Sequence, residues 1–320
     1  MTPADAAARP EAIKAIALRH PWRWVSAVIV LALAAGVVYT VATAPNLRWD
    51  VVTYWLTQPS ILNGLLVTLE LTVIAMAIGV LLGALLAVMR LSANPVVSTV
   101  SWFYIWFFRG TPVLVQLFFW YNLQLILPHL FFGIPFTSIG WQADTLTLIT
   151  PLLASILGLG LNEAAYMAEI VRAGIISVDQ GQTEAAQALG MTRIQVMRRV
   201  VLPQAMRVII PPTGNETISM LKTSSLAYIT TTHEIFYAQL LIAGYNYRIV
   251  ELLIVASIWY VMATSVLTFG QYYLERHFAK GASRELPPTP LQRFRRMFFH
   301  FHDAPPVPVD DISITARPHG

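Results

Sequence analysis

The sequence predicts an all-α fold, a polytopic membrane helix bundle of six spans, on three observations. Of its 320 residues, 56% are hydrophobic and only 12% charged, where soluble domains carry about a quarter charged residues. Six apolar stretches, at residues 24–44, 63–89, 113–127, 146–171, 204–228 and 250–274, approach or exceed the roughly 20 residues that cross a bilayer's hydrocarbon. The basic residues are segregated. Eighteen of the 21 Lys and Arg fall in the N-terminal arm, at Arg90 and Arg109, between Arg172 and Arg207, or in the tail, with only Arg48 and Arg248 opposite them and Lys222 inside a span. Because basic residues favour the cytoplasmic side, both termini and the loop at 177–203 are expected in the cytoplasm and the chain in the cell (inner) membrane.

In chain order, residues 1–23 form a basic cytoplasmic arm and 24–44 an additional N-terminal span. Ala42-Thr43-Ala44 imitates a signal-cleavage site, but the run before it has the length of a span and Pro45 follows at once, so it reads as a retained anchor. Residues 45–62 form an extracytoplasmic segment in which Trp49, Tyr54 and Trp55 suit the membrane interface. After the turn at Asn94-Pro95, the aromatic stretch 96–108 is expected along the cytoplasmic interface. Residues 128–144 and 229–249 are outer segments. The tail, 275–320, carries the clusters Pro287-Pro288-Thr289-Pro290 and Pro305-Pro306-Val307-Pro308 and is expected to be disordered. The chain has no cysteine, which excludes disulfides and thiol chemistry, and a net charge of +4 so distributed does not imply a nucleic acid partner.

The loop at 177–203 is a polar island whose Asp179, Glu184, Arg193, Arg198 and Arg199 exclude it from hydrocarbon. Strong helix formers from Glu184 to Leu189, a stop at Gly190 and a cap at Thr192 predict two short helices about a glycine corner. Ala185, Ala186 and Ala188 leave one side nearly bare, a surface that another protein can approach closely. Glu184-Ala185-Ala186, Gly190 four residues on, then Val200 and Leu202-Pro203 resemble the EAA loop of the membrane permease subunits of ABC importers.

The resemblance extends over residues 63–274 and is to the polar amino acid (histidine/glutamine-type) branch. Asn63-Gly64 with Thr68-Leu69, Gly79 and Gly83, then Arg109-Gly110-Thr111-Pro112 with Leu114 and Gln116, and Ala164-Ala165-Tyr166 with Glu169 and Arg172 are similar to its core stretches. Ala173 stands where that branch usually has glycine, and Thr223 where aspartate is common. The resemblance implies a translocation path for polar amino acids and alternating access. It also implies a coupling role for Glu184, Ala185, Ala186 and Gly190. The implied partners are a cytoplasmic ABC ATPase dimer, a second permease identical or homologous to this one, an extracytoplasmic solute-binding protein, the amino acid and membrane lipid. No GxxxxGK[ST] occurs, so the chain is expected to be a transporter subunit without an ATPase site. It would bind no cofactor, with ATP and Mg on the partner. An ion-coupled secondary transporter is the alternative, since carboxylates inside spans can relay protons.

The ionisable residues inside the expected spans are Glu70, Glu163, Glu169, Glu216, Lys222 and Glu251. Each costs about 2.5–3.5 kcal/mol to insert and therefore needs a partner or water. Glu216 lies about 18 Å into its span, just after Pro211-Pro212, a pair expected to kink or open the helix. Two readings stand for it. Glu216 and Lys222, with Thr217 nearby, complement the amine and carboxylate of an amino acid, or they form structural ion pairs, for example with Glu163. Glu163 and Tyr166, three residues apart on one helix face, are further candidates for the substrate path. Glu169 is expected to pair with Arg172. Gly79 and Gly83 are expected to serve helix packing.

Overall fold

The computed structural model describes residues 21–134 and 139–279. The basic arm and nearly all of the tail lie outside the described residues. Two compact units divide the chain. In the first, helix α1 (Pro21–Ala42) has a mean hydropathy of 2.4 over Trp24–Ala42 and is apolar on every side, as a lipid-facing span requires.

The second unit begins with α2 (Trp49–Leu56), a short helix with Arg48 at its N-cap. The Arg48 guanidinium lies 2.6 Å from Asp50 and holds that carboxyl below its ordinary range by hydrogen bonding and charge. The long helix α3 (Pro59–Arg90) follows, started by a proline in its first turn. It packs closely on α7 (Pro151–Ile176) because glycines remove the side chains at the seam. A Cβ at Gly83 would fall 2.6 Å from Met167 Cβ and 2.9 Å from the Ala164 carbonyl.

Between these two helices the chain departs from expectation. No single helix spans 113–127. Instead α4 (Pro95–Gly110) and α5 (Val113–Tyr121) run in series along α7. Ile105 of α4 packs with Ala164 and Ala168, Phe108 is bonded to Asn162, and Leu117 of α5 meets Gly158. The contacts move steadily towards the start of α7, so α4 and α5 together run antiparallel to it. Their inward groups decide this: Ser101 Oγ donates to Leu86 O at 2.7 Å and Tyr104 Oη to Leu161 O at 2.9 Å, while Trp102, Phe103 and Trp106 face outward.

The outer loop contains a two-stranded antiparallel hairpin, β1 (His129–Gly133) and β2 (Gly140–Asp144). It is closed by His129 and Asp144 at 2.9 Å and followed by the single turn α6 (Thr145–Leu148). After α7 come α8 (Gln180–Ala188), α9 (Arg193–Val196) and a π-helical turn at Met197–Val201. α10 (Leu202–Thr223) runs without interruption through Pro211 and Pro212, so the opening expected there is absent. The carbonyls that these prolines leave without amide donors belong to Arg207 and Val208, both on exposed positions. A 3₁₀ segment, Ser224–Thr230, leads to α11 (Ile235–Asn246) and α12 (Ile249–Ala279).

Glu234, fully buried, caps α11 by accepting from the amides of Phe236 (2.7 Å) and Tyr237 (2.6 Å), and Tyr260 Oη of α12 donates to it at 3.1 Å. The Ile235 amide donates to Thr68 Oγ1 of α3 at 3.2 Å, so one polar knot ties three helices. The sequence places Glu234 in an outer loop and gives no sign that it is buried.

Candidate functional site: a charged cavity beside a broken helix

Three elements line a cavity of about 590 Å³: the α4–α5 break, one face of α7 and one face of α10. The break exists because Pro112 has no amide to donate and forces Thr111 out of the helical region, to φ −110° and ψ 140°. Arg109 and Thr111 reach the cavity from it. From α7 come Asn162, Glu163 and Tyr166, and from α10 Glu216, Ser219 and Thr223, spaced by the three and four residues that share a helix face.

The Arg109 guanidinium carbon lies 5.2 Å from the centre of the Tyr166 ring, within the range of a cation–π contact. Glu163 is only 4% exposed, and its Oε1 has no hydrogen-bond partner among the described residues. Glu216 is half-buried. The cavity thus presents one permanent cation, two carboxylates and several hydroxyls.

Of the residues singled out in the sequence, Glu163, Tyr166 and Glu216 come together here. Lys222 and Thr217 do not line the cavity. Lys222 is exposed, since six residues from Glu216 it lies about 120° around the helix, and Thr217 spends its hydroxyl on Thr213 O at 2.9 Å. The cation of the site is Arg109. Sequence reasoning gave it no place in the path; the signal available was its position directly before Gly110-Thr111-Pro112. Glu169 is paired with Arg172 at 2.6 Å. Glu251, 4% exposed, accepts from the Arg48 amide at 3.3 Å and faces Arg248 at 3.5 Å. Among the described residues no cluster suits a metal ion.

At the other polar site, α8 and α9 meet at Gly190, whose φ of +78° is the left-handed conformation glycine adopts freely. Thr192 and Gln195 form a reciprocal capping box, at 2.8 and 3.4 Å. Ala186 is buried against Val196 and Val201 and faces the loop's own core. The outer surface is Glu184, Ala185 and Ala188, with Leu189 83% and Ile194 79% exposed.

Residues 79–280 match the family described as binding-protein-dependent transport system inner membrane component. The chain belongs to this family. The permease is 48% identical over 285 residues to the arginine transport system permease protein ArgU of Corynebacterium glutamicum, covering 89% of each chain. It is 34% identical to the arginine transport system permease protein ArtQ of Bacillus subtilis, over 68% of this chain and 92% of the relative. A solved structure described as an amino acid ABC transporter with histidines is 36% identical, with a TM-score of 0.59, covering 68% of this chain and 94% of that one. The inward-facing methionine transporter MetNI, 19% identical at a TM-score of 0.53 over 70% of this chain and 96% of that one, shares the fold. The permease is therefore a multi-pass inner membrane subunit of an ABC importer, and the ion-coupled carrier reading is set aside.

Proposed function

We propose that this permease carries cationic amino acids through the cavity between Arg109, Glu163 and Glu216. The observation that supports the reading most directly is the charge count at the cavity, one guanidinium against two carboxylates. An amino acid with a cationic side chain bears the complementary set. Its carboxylate meets Arg109, which can bind it with paired hydrogen bonds, and its ammonium and side-chain cation meet Glu216 and Glu163. The names of the relatives, two of them arginine permeases, agree with this. Thr217 and Lys222 act outside this contact, Lys222 as a surface charge of α10.

The energy comes from a partner. A cytoplasmic ABC ATPase dimer, holding ATP and Mg, docks on Glu184, Ala185, Ala188 and the exposed Leu189 and Ile194, with Gly190 setting the corner and Ala186 bracing it from inside. Both termini lie in the cytoplasm, and a second permease and an extracytoplasmic solute-binding protein complete the importer. Alternating access follows when closure of the ATPase dimer moves this loop as a lever.

Uptake of radiolabelled arginine by proteoliposomes containing the whole complex tests the reading. Arg109→Gln and Glu216→Gln are expected to lower uptake about tenfold or more, since a buried hydrogen bond to a charged group contributes about 1.5–3 kcal/mol. Wild-type uptake by both variants would remove the cavity from the path.

A further inference from the structure

The broken helix needs donors that its own backbone lacks. In a continuous helix the amide of residue 112 would donate to the Phe108 carbonyl, and Pro112 has no amide. Two side chains take its place: Gln116 Nε2, at 2.9 Å, and Asn162 Nδ2, at 2.9 Å. Their roles differ. Gln116 belongs to α5 and also donates to Thr111 O at 3.1 Å and Thr111 Oγ1 at 2.7 Å, so it staples the break to itself. Asn162 belongs to α7 and joins the break to another helix.

The positions along the chain give that bond its consequence. Phe108 immediately precedes Arg109, and Asn162 immediately precedes Glu163. One hydrogen bond, from the Asn162 side chain to the Phe108 carbonyl, therefore joins the residues next to the cavity's cation and its most buried carboxylate. Arg109 is on an exposed position at the end of α4, with its guanidinium over the Tyr166 ring of α7. Glu163 is held from behind, with α3 packed against it at Gly79. The bond from Asn162 fixes the backbone that carries Arg109 relative to the helix that carries Glu163.

We infer that Asn162 is a positioning residue that sets the spacing of Arg109 and Glu163: a substrate held at both ends, its carboxylate on Arg109 and its side-chain cation on Glu163, depends on that spacing and an uncharged side chain does not, so the bond sets the preference for a charged over an uncharged side chain. This rests on the cavity reading above. Asn162 need not touch the substrate for this role. Gln116, which does not span to α7, sets the shape of the break and not the distance between the charges.

The experiment uses the detergent-purified permease with its ATPase partner and equilibrium dialysis of two probes, arginine and its uncharged isostere citrulline. Asn162→Leu removes the donor at similar volume, and Asn162→Gln keeps a carboxamide donor. The arginine-over-citrulline preference is expected to fall about tenfold in Asn162→Leu, the scale of one hydrogen bond, and to recover in part in Asn162→Gln. The thermal midpoint of Asn162→Leu is expected to stay near wild type, since Gln116 still donates to the Phe108 carbonyl. An unchanged preference in Asn162→Leu overturns the inference. So does equal weakening of both probes with a lowered thermal midpoint, which is what a merely structural residue would produce. Arg109→Gln separates the two levels. If it binds arginine as the wild type does, the cavity reading itself fails; if it loses arginine while Asn162→Leu does not, only the positioning role fails.

Discussion

Replacing Gly79 with alanine is expected to move Glu163, and the structure sets the size of the effect. A Cβ at residue 79 would fall 2.4 Å from Glu163 Cγ, closer than real Cβ contacts come, and a tight 3.0 Å from its Cβ. The helices are held close here, since one turn further on a Cβ at Gly83 would fall 2.6 Å from Met167 Cβ, and Ala164, Ala165 and Ala168 are fully buried. The cheapest response is rotation of the Glu163 side chain. Overpacking of this kind costs about 1–3 kcal/mol, or a lowering of the thermal midpoint by about 2–4 °C per kcal/mol. In a Glu163→Ala background the Cγ is gone and most of the penalty goes with it, so the two substitutions are expected to couple by about 1–2 kcal/mol. The assay is a double-mutant cycle on the thermal midpoint of the purified complex, with arginine binding measured beside it. Additive effects, within about 0.5 kcal/mol, would refute the placement of Glu163 against α3. Gly244→Ala is the control, since nothing lies within 4 Å of its Cβ and the change is expected to be neutral or slightly stabilising.

Three further outcomes follow from particular contacts. Pro112→Ala restores an amide opposite the Phe108 carbonyl, so α4 and α5 are expected to join: hydrogen exchange at residue 112 becomes slow and arginine uptake falls, whereas rapid exchange there would count against the account of the break. Glu234→Ala removes two capping bonds and the acceptor of the Tyr260 hydroxyl, and is expected to lower stability by about 1–2 kcal/mol; a thermal midpoint within error of wild type would contradict the polar knot between α3, α11 and α12. Ala186→Leu overfills the pocket against Val196 and Val201 and is expected to loosen the helical backbone at the already exposed Arg198-Arg199 and speed its cleavage by trypsin, while Ala188→Leu leaves digestion unchanged and weakens co-purification of the ATPase. Equal digestion of the two variants would argue against an inward Ala186.

What was legible in the sequence was legible for local reasons. Apolar runs longer than a bilayer's thickness report membrane helices because a chain in lipid must satisfy its own backbone. The loop at 177–203 shows its corner because Gly190 acts through its own backbone conformation and Thr192 caps an amide three residues on. The spacing around Glu184 and Gly190 pointed to the same family that the comparison of residues 79–280 identified. Glu163, Tyr166 and Glu216 stood out because polar groups inside apolar helices are costly.

What the tertiary structure decided depends on which faces meet. Pro112 breaks its helix and the Pro211-Pro212 pair does not, though proline chemistry is the same in both. At the first site Gln116 and Asn162 supply the donors that an open carbonyl needs; at the second the orphaned carbonyls sit on exposed positions and the helix continues. Arg109 rather than Lys222 joins the carboxylates for a rotational reason, since a helix carries residue 222 away from the face of Glu216 while the break turns residue 109 towards it. Ala186 and Glu234 lie inside because distant segments fold over them. A one-dimensional pattern fixes how each helix forms, but the pairing of charges across helices is set by packing angles and register, which reside in contacts between residues far apart in the chain.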